Sequence, residues 1–298
     1  MRIGIDMGGT KIEGIVLSSD GIICAQKRVP TPSGDYQATI KTVVDLVDEL
    51  SKKVELDRHA PIGVGIPGTI SPDTGLVKNS NSTCLNGKRL DADLSNASGR
   101  KVRLANDANC FSISEAFDGA AARYQLVFGV ILGTGVGGGL AFRGKIWPGP
   151  NAIAGEWGHN PLPWPQVLDG YNEQPGNACY CGRLGCIETF LSGPGLVQDH
   201  KRHTGNVEEP KDISDERTMG RYEHRLARAL ASVINILDPD AIVLGGGLSN
   251  IQRLYKNVPA IWLKWIFSDK CRTPLLQNQH GDASGVRGAA RLWSNKKT

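Results

Sequence analysis

The chain reads as an α/β protein of two domains, built from duplicated halves that face each other across a cleft. Three observations carry this expectation. Its 298 residues suit two domains of ordinary size. Short apolar segments of strand type are interspersed with longer segments of helical period. The plan of strand, glycine turn and strand occurs twice, around Asp6-Met7-Gly8-Gly9-Thr10-Lys11 and around Gly133-Thr134-Gly135-Val136-Gly137-Gly138-Gly139, more than a hundred residues apart.

Taken in order, residues 2–7, Lys11–Leu17 and Ile22–Val29 read as strands. Two adjacent glycines between the first two let backbone N–H groups point into a concave turn, which suits phosphate oxygens. The turn lacks the Gly-Lys-Ser/Thr of a Walker A loop, and it is not G-x-G-x-x-G. A plain glycine hairpin is the alternative; Asp6 beside it favours the phosphate reading, because a carboxylate there can hold Mg²⁺ through water. Asp35–Lys53 is helical, with Ile40, Val43, Val44, Val47 and Leu50 on one stripe. Ile62–Ile66 is a buried strand entering the turn at Pro67-Gly68. Ser71–Lys88 is loop, and its Asn79, Asn81 and Asn86 suit either turn chemistry or contacts to a polar ligand. Val102–Ala105 is a strand, after which Asn106-Asp107-Ala108-Asn109 opens a helix through Ala121. Asp107 suits an N-cap, and it also lies where open α/β sheets collect ligand groups.

Leu126–Leu132 is a strand leading into the second glycine turn, with five glycines in the seven residues 133–139. Ser192–His203 shows no role beyond a solvated Lys201-Arg202-His203 face, and Glu208–Glu216 is a charged loop. Tyr222–Leu237 is a helix with Tyr222, Leu226, Ala229, Val233 and Leu237 on one side. Ala241–Leu244 is a buried strand running into Gly245, Gly246 and Gly247, a surface stripped of side chains that a flat ring can approach. Leu254–Phe267 is helical, with its aromatics read as core, and Val286–Trp293 forms the last helix.

The stretch from Gly155 to Glu188 carries the most chemistry. Cys179, Cys181 and Cys186 fall in one turn-rich segment that Gly182 and Gly185 allow to fold back. Zn²⁺ with Cys₃His ligation is the ordinary solution, and His159 is the fourth ligand. The alternative, one disulfide and a spare thiol, is opposed by the odd cysteine total, the Cys-x-Cys spacing and the lack of a signal peptide. Such a knot pins Glu156, Glu188 and an imidazole into one patch that suits hydroxyl-rich ligands. Cys24, Cys84, Cys110 and Cys271 read as small core hydrophobes.

Hydrophobic residues at 40% and charged residues at 21% describe a soluble globular protein. The apolar runs are too short to span a bilayer, and the start at Met1-Arg2-Ile3-Gly4-Ile5 is unlike a signal peptide, so a cytoplasmic location is expected. The net charge of +4 is mild and forms no stripe. Lys296-Lys297 reads as a solvated tail, and neither nucleic acid nor membrane is an expected partner.

Together these motifs resemble the ROK family of sugar kinases, of the actin/hexokinase superfamily, over almost the whole chain. The matching pieces are Asp6–Lys11, Asn106–Asn109, Leu132–Gly139, Gly155–His159, Cys179–Glu188 and Leu244–Gly247. The resemblance implies an α/β, two-domain actin/hexokinase-like (ribonuclease H-like) fold with the active site in the interdomain cleft. A small domain would span 1–117, joined by a returning helix at 286–298, and a larger one with the zinc motif would span 118–285. ATP would lie against Gly4, Asp6, Gly8, Gly9, Thr10, Lys11, Gly133, Thr134, Gly135, Gly137, Gly138 and Gly139, with adenosine beside Gly245–Gly247 and Mg²⁺ near Asp6. Asn106, Asp107, Glu156, His159 and Glu188 would hold a sugar, with Asp107 as catalytic base. His159 would serve zinc with one ring nitrogen and sugar with the other.

A homodimer is also implied. Within the family, Lys78–Thr83 and His159–Trp164 look most like bacterial fructokinases (manno-fructokinases), so D-fructose is the expected substrate, with an N-acetylglucosamine or N-acetylmannosamine kinase as the alternative. A sugar-responsive regulator of the family would need a DNA-binding segment before the first strand, for which Arg2 leaves no room. A non-catalytic sugar-binding protein is opposed by Asp107 and both glycine turns. The segment from Thr204 to Arg221 looks shorter than in relatives.

Overall fold

A computed structural model describes residues 1–293. It divides into two compact units, Met1–Arg123 with Gly139–Ala154 and the chain from Gln279, and Tyr124–Gly138 with Gly155–Asn278.

The first unit holds β1 (Arg2–Met7), β2 (Lys11–Leu17), β3 (Ile23–Pro30), α1 (Tyr36–Lys53), β4 (Ile62–Ile66), the short pair β5 (Thr69–Ile70) and β6 (Val77–Lys78), α2 (Leu90–Ser98), β7 (Val102–Asn106) and α3 (Asp107–Phe117). Its sheet runs β3-β2-β1-β4-β7, antiparallel where hairpins join β1, β2 and β3 and parallel between β1, β4 and β7. Every residue of β4 is buried, whereas β3 at the edge alternates half-buried with exposed positions, as a strand with one solvated face must. Asp35 caps α1 by accepting from the Ala38 N–H at 2.9 Å. The buried side of α1 is Thr39, Ile40, Val43, Leu46, Val47, Leu50 and Ser51; Val44 lies at its margin.

The second unit holds β8 (Leu126–Leu132) and the start of β9 (Val136–Phe142), which enters the first unit at Gly139 and is followed there by β10 (Lys145–Ile146). The second unit resumes with β11 (Val167–Leu168), β12 (Tyr171–Asn172), α4 (Glu188–Leu191), α5 (Gly193–Thr204), α6 (Glu216–Leu237), β13 (Ala241–Gly245), α7 (Arg253–Trp262) and β14 (Leu275–Gln277). The second sheet runs β10-β9-β8-β13-β14. The chain returns to the first unit in α8 (Ser284–Arg291).

α8 lies close against the first sheet and α3 because glycines remove the side chains between them. A Cβ at Gly288 would meet Cys110 O at 1.7 Å, one at Gly63 would meet Ala289 O at 1.8 Å, and one at Gly4 would meet Val286 O at 2.3 Å. These are backbone atoms with no rotamer to change. Gly288→Ala is therefore expected to destabilise the protein by about 1–3 kcal/mol, read as a lower denaturation midpoint; an unchanged midpoint would show that α8 is not seated this way.

Several expectations need correction. Residues 139–154, read as part of the second domain, group with the first unit, because Gly139 lets β9 approach α3: its Cβ would stand 2.6 Å from both Ala108 O and Ser112 Oγ. Residues 118–123 and 279–285 also fall in the first unit, and the part of the expected last helix beyond residue 293, with Lys296-Lys297, lies outside the described residues. α3 stops at Phe117, where the Glu115 carboxylate takes the Ala120 N–H at 2.9 Å and turns the chain. α6 begins at Glu216 because Asp215 caps it, accepting from Thr218 N–H at 2.8 Å.

That helix is buried nearly all round. Its Arg225 and Arg228 both reach Glu173 at 2.8 Å, and Arg221 meets Asp199 at 2.9 Å. α7 ends at Trp262, which is core, but Phe267 is fully exposed. Among the scattered cysteines Cys110 is buried, Cys84 and Cys271 are half-buried, and Cys24 is exposed on the solvated face of β3.

Candidate active site

In the first unit, two carboxylates stand at the carboxyl ends of β1 and β7, parallel strands on either side of β4, the position at which open α/β sheets bind ligands. Asp6 is paired with Glu13 on β2 and Gly65 on β4. Asp107 is the first residue of α3, immediately after β7. The Asp6 carboxyl is raised to about 7, first by burial and then by the charges of Asp107 and Glu13. Missing side chains crowd it: a Cβ at Gly285 would stand 3.0 Å from Asp6 Oδ2, and one at Gly65 would stand 3.5 Å from Oδ1. The Asp6 carboxylate, raised partly by the charge of Asp107, offers hard oxygen donors of the kind that suit Mg²⁺. The N-cap of α3 is Asn106 rather than Asp107; its Oδ1 accepts from Ala108 N–H at 2.9 Å and Asn109 N–H at 3.4 Å.

The first glycine turn combines both readings of the sequence. Gly8 N–H donates to Lys11 O at 2.9 Å in hairpin fashion, and Thr31 Oγ1 donates to Gly8 O at 2.8 Å. Gly9 meets nothing within 4 Å on its Cβ side, and Thr10 and Lys11 are exposed, so the outer rim of the turn is open.

In the second unit, Gly133, Thr134 and Gly135 form the turn between β8 and β9. The Gly193 N–H, at the start of α5, donates to Gly133 O at 2.7 Å. Gly246 lies against the end of β8, where a Cβ would meet Leu132 O at 2.4 Å, and Gly247 beside it faces open space. The third glycine run therefore borders the second glycine turn, an arrangement that suits one nucleotide. Gly137–Gly139 belong to β9 rather than to the turn. Gly137 O accepts from Trp157 Nε1 at 3.0 Å, and a Cβ at Gly138 would meet Gly155 O at 2.6 Å. Packing explains these glycines, as it explains Gly4.

That packing sets the neighbouring groups. Trp157 is 5% exposed and anchors the 155–159 segment, its ring edge-on to Phe128 at 5.8 Å. A Cβ at Gly158 would stand 2.2 Å from Val136 O, so only glycine fits there. Glu156 is left exposed. Glu188 connects two features: its Oε2 accepts from Val136 N–H at 3.0 Å at the rim of the glycine turn, and its Oε1 lies 3.8 Å from Cys179 Sγ.

His159, Cys179, Cys181 and Cys186 converge, with one ligand atom from each lying within 4.8 Å of all the others. Cys181 Sγ and Cys186 Sγ are 3.6 Å apart, and Cys179 Sγ is 3.6 Å from His159 Nδ1. A tetrahedral zinc with Zn–S bonds of about 2.3 Å needs sulfur edges of about 3.8 Å, so the donor set fits the ion. His159 directs Nδ1 at the thiols. Its Nε2, expected to face the ligand, meets the Tyr180 hydroxyl at 3.0 Å. Sequence reasoning overlooked Tyr180. Burial first, then the Glu188 and Glu156 carboxylates, push its phenol up to about 12; its position between two ligand cysteines was the available signal.

Asn86 does turn chemistry, its side chain bonding Ser80 N–H and Ser80 O at 2.9 Å each. Asn79 has φ +57° in the same turn.

Two sheets with helices, two glycine turns and a carboxylate pair at strand ends define the class: an α/β protein of the actin/hexokinase-like fold. The ROK family model matches residues 2–296, and the chain belongs to that family. It is 42% identical to the N-acetyl-D-glucosamine kinase of Citrobacter koseri over 304 residues, covering 98% of this chain and 99% of that protein. It is 37% identical to the enzyme of that name from Haemophilus influenzae, covering 99% and 100%. Among solved structures it is similar to the ROK hexokinase of Thermus thermophilus, with TM-score 0.82, 25% identity and 97% and 96% of the two chains covered. The ROK glucokinase of Streptomyces griseus, in complex with glucose and AMPPNP, gives TM-score 0.79 at 25% identity, with 98% of each chain covered. The expectation of a fructokinase is not supported by these relatives.

Proposed function

We propose that this protein is an ATP-dependent sugar kinase that phosphorylates N-acetyl-D-glucosamine. The observation that carries the choice of sugar is the 42% identity, over nearly the full length of both chains, to a relative of that specificity. The stretches that suggested fructose have other physical explanations. Asn79 shapes a turn at φ +57°, Trp164 stacks on Trp265 at 5.3 Å, and Pro163 O accepts from the buried Arg228 at 3.3 Å.

In this reading Asp107 accepts the proton of the primary hydroxyl as that oxygen attacks the γ-phosphoryl group, and ADP leaves. A positioned base of this kind contributes roughly 10²–10⁴-fold. Asn106, Glu156, His159 and Glu188 orient the sugar, joined by Tyr180. The turns at Gly8–Lys11 and Gly133–Gly135 hold the phosphates by backbone N–H groups, and Gly245–Gly247 accommodates the adenosine. Bound Mg²⁺, held near Asp6, supplies charge stabilisation to the transferring phosphoryl group. Structural zinc on His159, Cys179, Cys181 and Cys186 fixes the sugar-orienting residues, and the protein works as a homodimer.

The test is product analysis. Protein incubated with MgATP and N-acetylglucosamine should yield ADP and a monophosphate on the primary hydroxyl in equal amounts by mass spectrometry and phosphorus NMR. ADP without sugar phosphate would remove the proposal.

A further inference from the structure

The first unit contains a second polar cavity that uses none of the residues assigned above. It measures about 290 Å³ and is lined, among the described residues, by Arg103, Ile113, Gly144, Lys145, Ile146, Arg291 and Leu292. Three of these are cations, and no carboxylate lines it. Three are apolar, from α3, β10 and the end of α8. Gly144 has φ +69°, the left-handed turn that brings Lys145 back beside the cavity.

The cations are poorly compensated. Arg291 is 2% exposed, and its Nε has no hydrogen-bond partner among the described residues. Its other end donates to Asp118 Oδ2. Asp118 also takes Arg287 at 2.9 Å and faces His280 at 3.3 Å, so a single carboxylate serves three basic groups. Arg287 Nε and Arg2 Nη1 are likewise buried without partners, and the nearby Arg291, after burial, depresses the Arg2 guanidinium. Arg103 is held in place, with one N–H on Leu292 O at 2.9 Å and its guanidinium over the Trp293 ring at 3.9 Å. A buried donor left unpaired costs about 1–3 kcal/mol. Three cations on a cavity with no carboxylate in its described lining, one of them with an unpaired buried donor, point to an anion that completes them.

We propose that this cavity binds a phosphate-bearing small molecule. The Arg103 guanidinium and the Lys145 ammonium, both exposed, suit phosphate oxygens, the buried Arg291 adds a third charge with its Nε unpaired among the described residues, and Ile113, Ile146 and Leu292 cover the organic part. The site bears on the reaction through two helices. Ile113 lies on α3, which begins at Asp107, and Arg291 ends α8, whose Gly285 abuts Asp6. An occupant would bear on the middle of α3 and the end of α8.

The test uses the full chain and inorganic phosphate, titrated by calorimetry with the non-hydrolysed ATP analogue AMPPNP at saturation so that all three nucleotide phosphate positions are filled. The proposal expects one saturable phosphate site. The Arg103→Gln/Lys145→Gln variant, with both changes at exposed positions, should weaken it about tenfold or more while leaving the KM values for ATP and sugar unchanged. Lys145→Gln alone, which touches no described hydrogen bond, should weaken it less, and it carries the test if the double variant fails to fold. Absence of saturable binding in the parent protein, or equal affinity in parent and variants, would overturn the proposal.

Discussion

Asp107→Asn is expected to lower kcat by about 10²-fold or more while sugar and ATP still bind. The substitution keeps the size and planarity of the side chain at the first position of α3, where the acceptor oxygen that takes Ala108 N–H at 2.8 Å can be retained. The helix cap itself belongs to Asn106, so the variant is expected to fold and to lose its proton acceptor. It also removes the charge that helps raise Asp6, so the Asp6 carboxyl should ionise at lower pH in the variant. Near-normal kcat with intact ligand binding would reduce Asp107 to a structural residue.

The second large effect is expected from the cysteine cluster. Purified protein should contain about one zinc per chain, and Cys186→Ala should lose it. Structural zinc in small domains contributes an apparent ~10–16 kcal/mol at neutral pH, comparable to the whole stability of an ordinary domain. Cys186 is 1% exposed, and its sulfur lies 3.6 Å from both Cys181 Sγ and His159 O. Its loss therefore loosens the loop that carries Glu156 and the link through Glu188 to the glycine turn. Lower thermal stability, loss of metal and a higher KM for the sugar should appear together. Full activity in protein verified to be metal-free would contradict the assignment.

Much of this was legible in the sequence because its causes are local. The alternation of β3, the apolar stripe of α1 and the Cys-x-Cys knot depend on neighbours a few residues away. The glycines were only half legible. Gly9 and Gly247 face open space, whereas Gly4, Gly138 and Gly139 exist to admit another backbone, and one residue type serves both needs. The arginines of α6 were invisible as core because their carboxylate partners, Glu173 and Asp199, lie tens of residues away. Tyr180 was missed because it belongs to no motif of charged or metal-binding residues. The choice of fructose rested on the stretches Lys78–Thr83 and His159–Trp164, and the relatives do not support it. In the fold, Asn79 sits in a turn at φ +57° and Trp164 stacks on Trp265.

The central claim is the identity of the sugar and the reaction carried out on it. The most direct measurement is kcat/KM for N-acetylglucosamine, N-acetylmannosamine, glucose, mannose and fructose with saturating MgATP, followed by coupled ADP release. A site that pairs the acetamido group is expected to favour N-acetylglucosamine over fructose by a large factor, up to about 10⁴. A higher kcat/KM for fructose, or no sugar-dependent ADP release with any of the five, would contradict it.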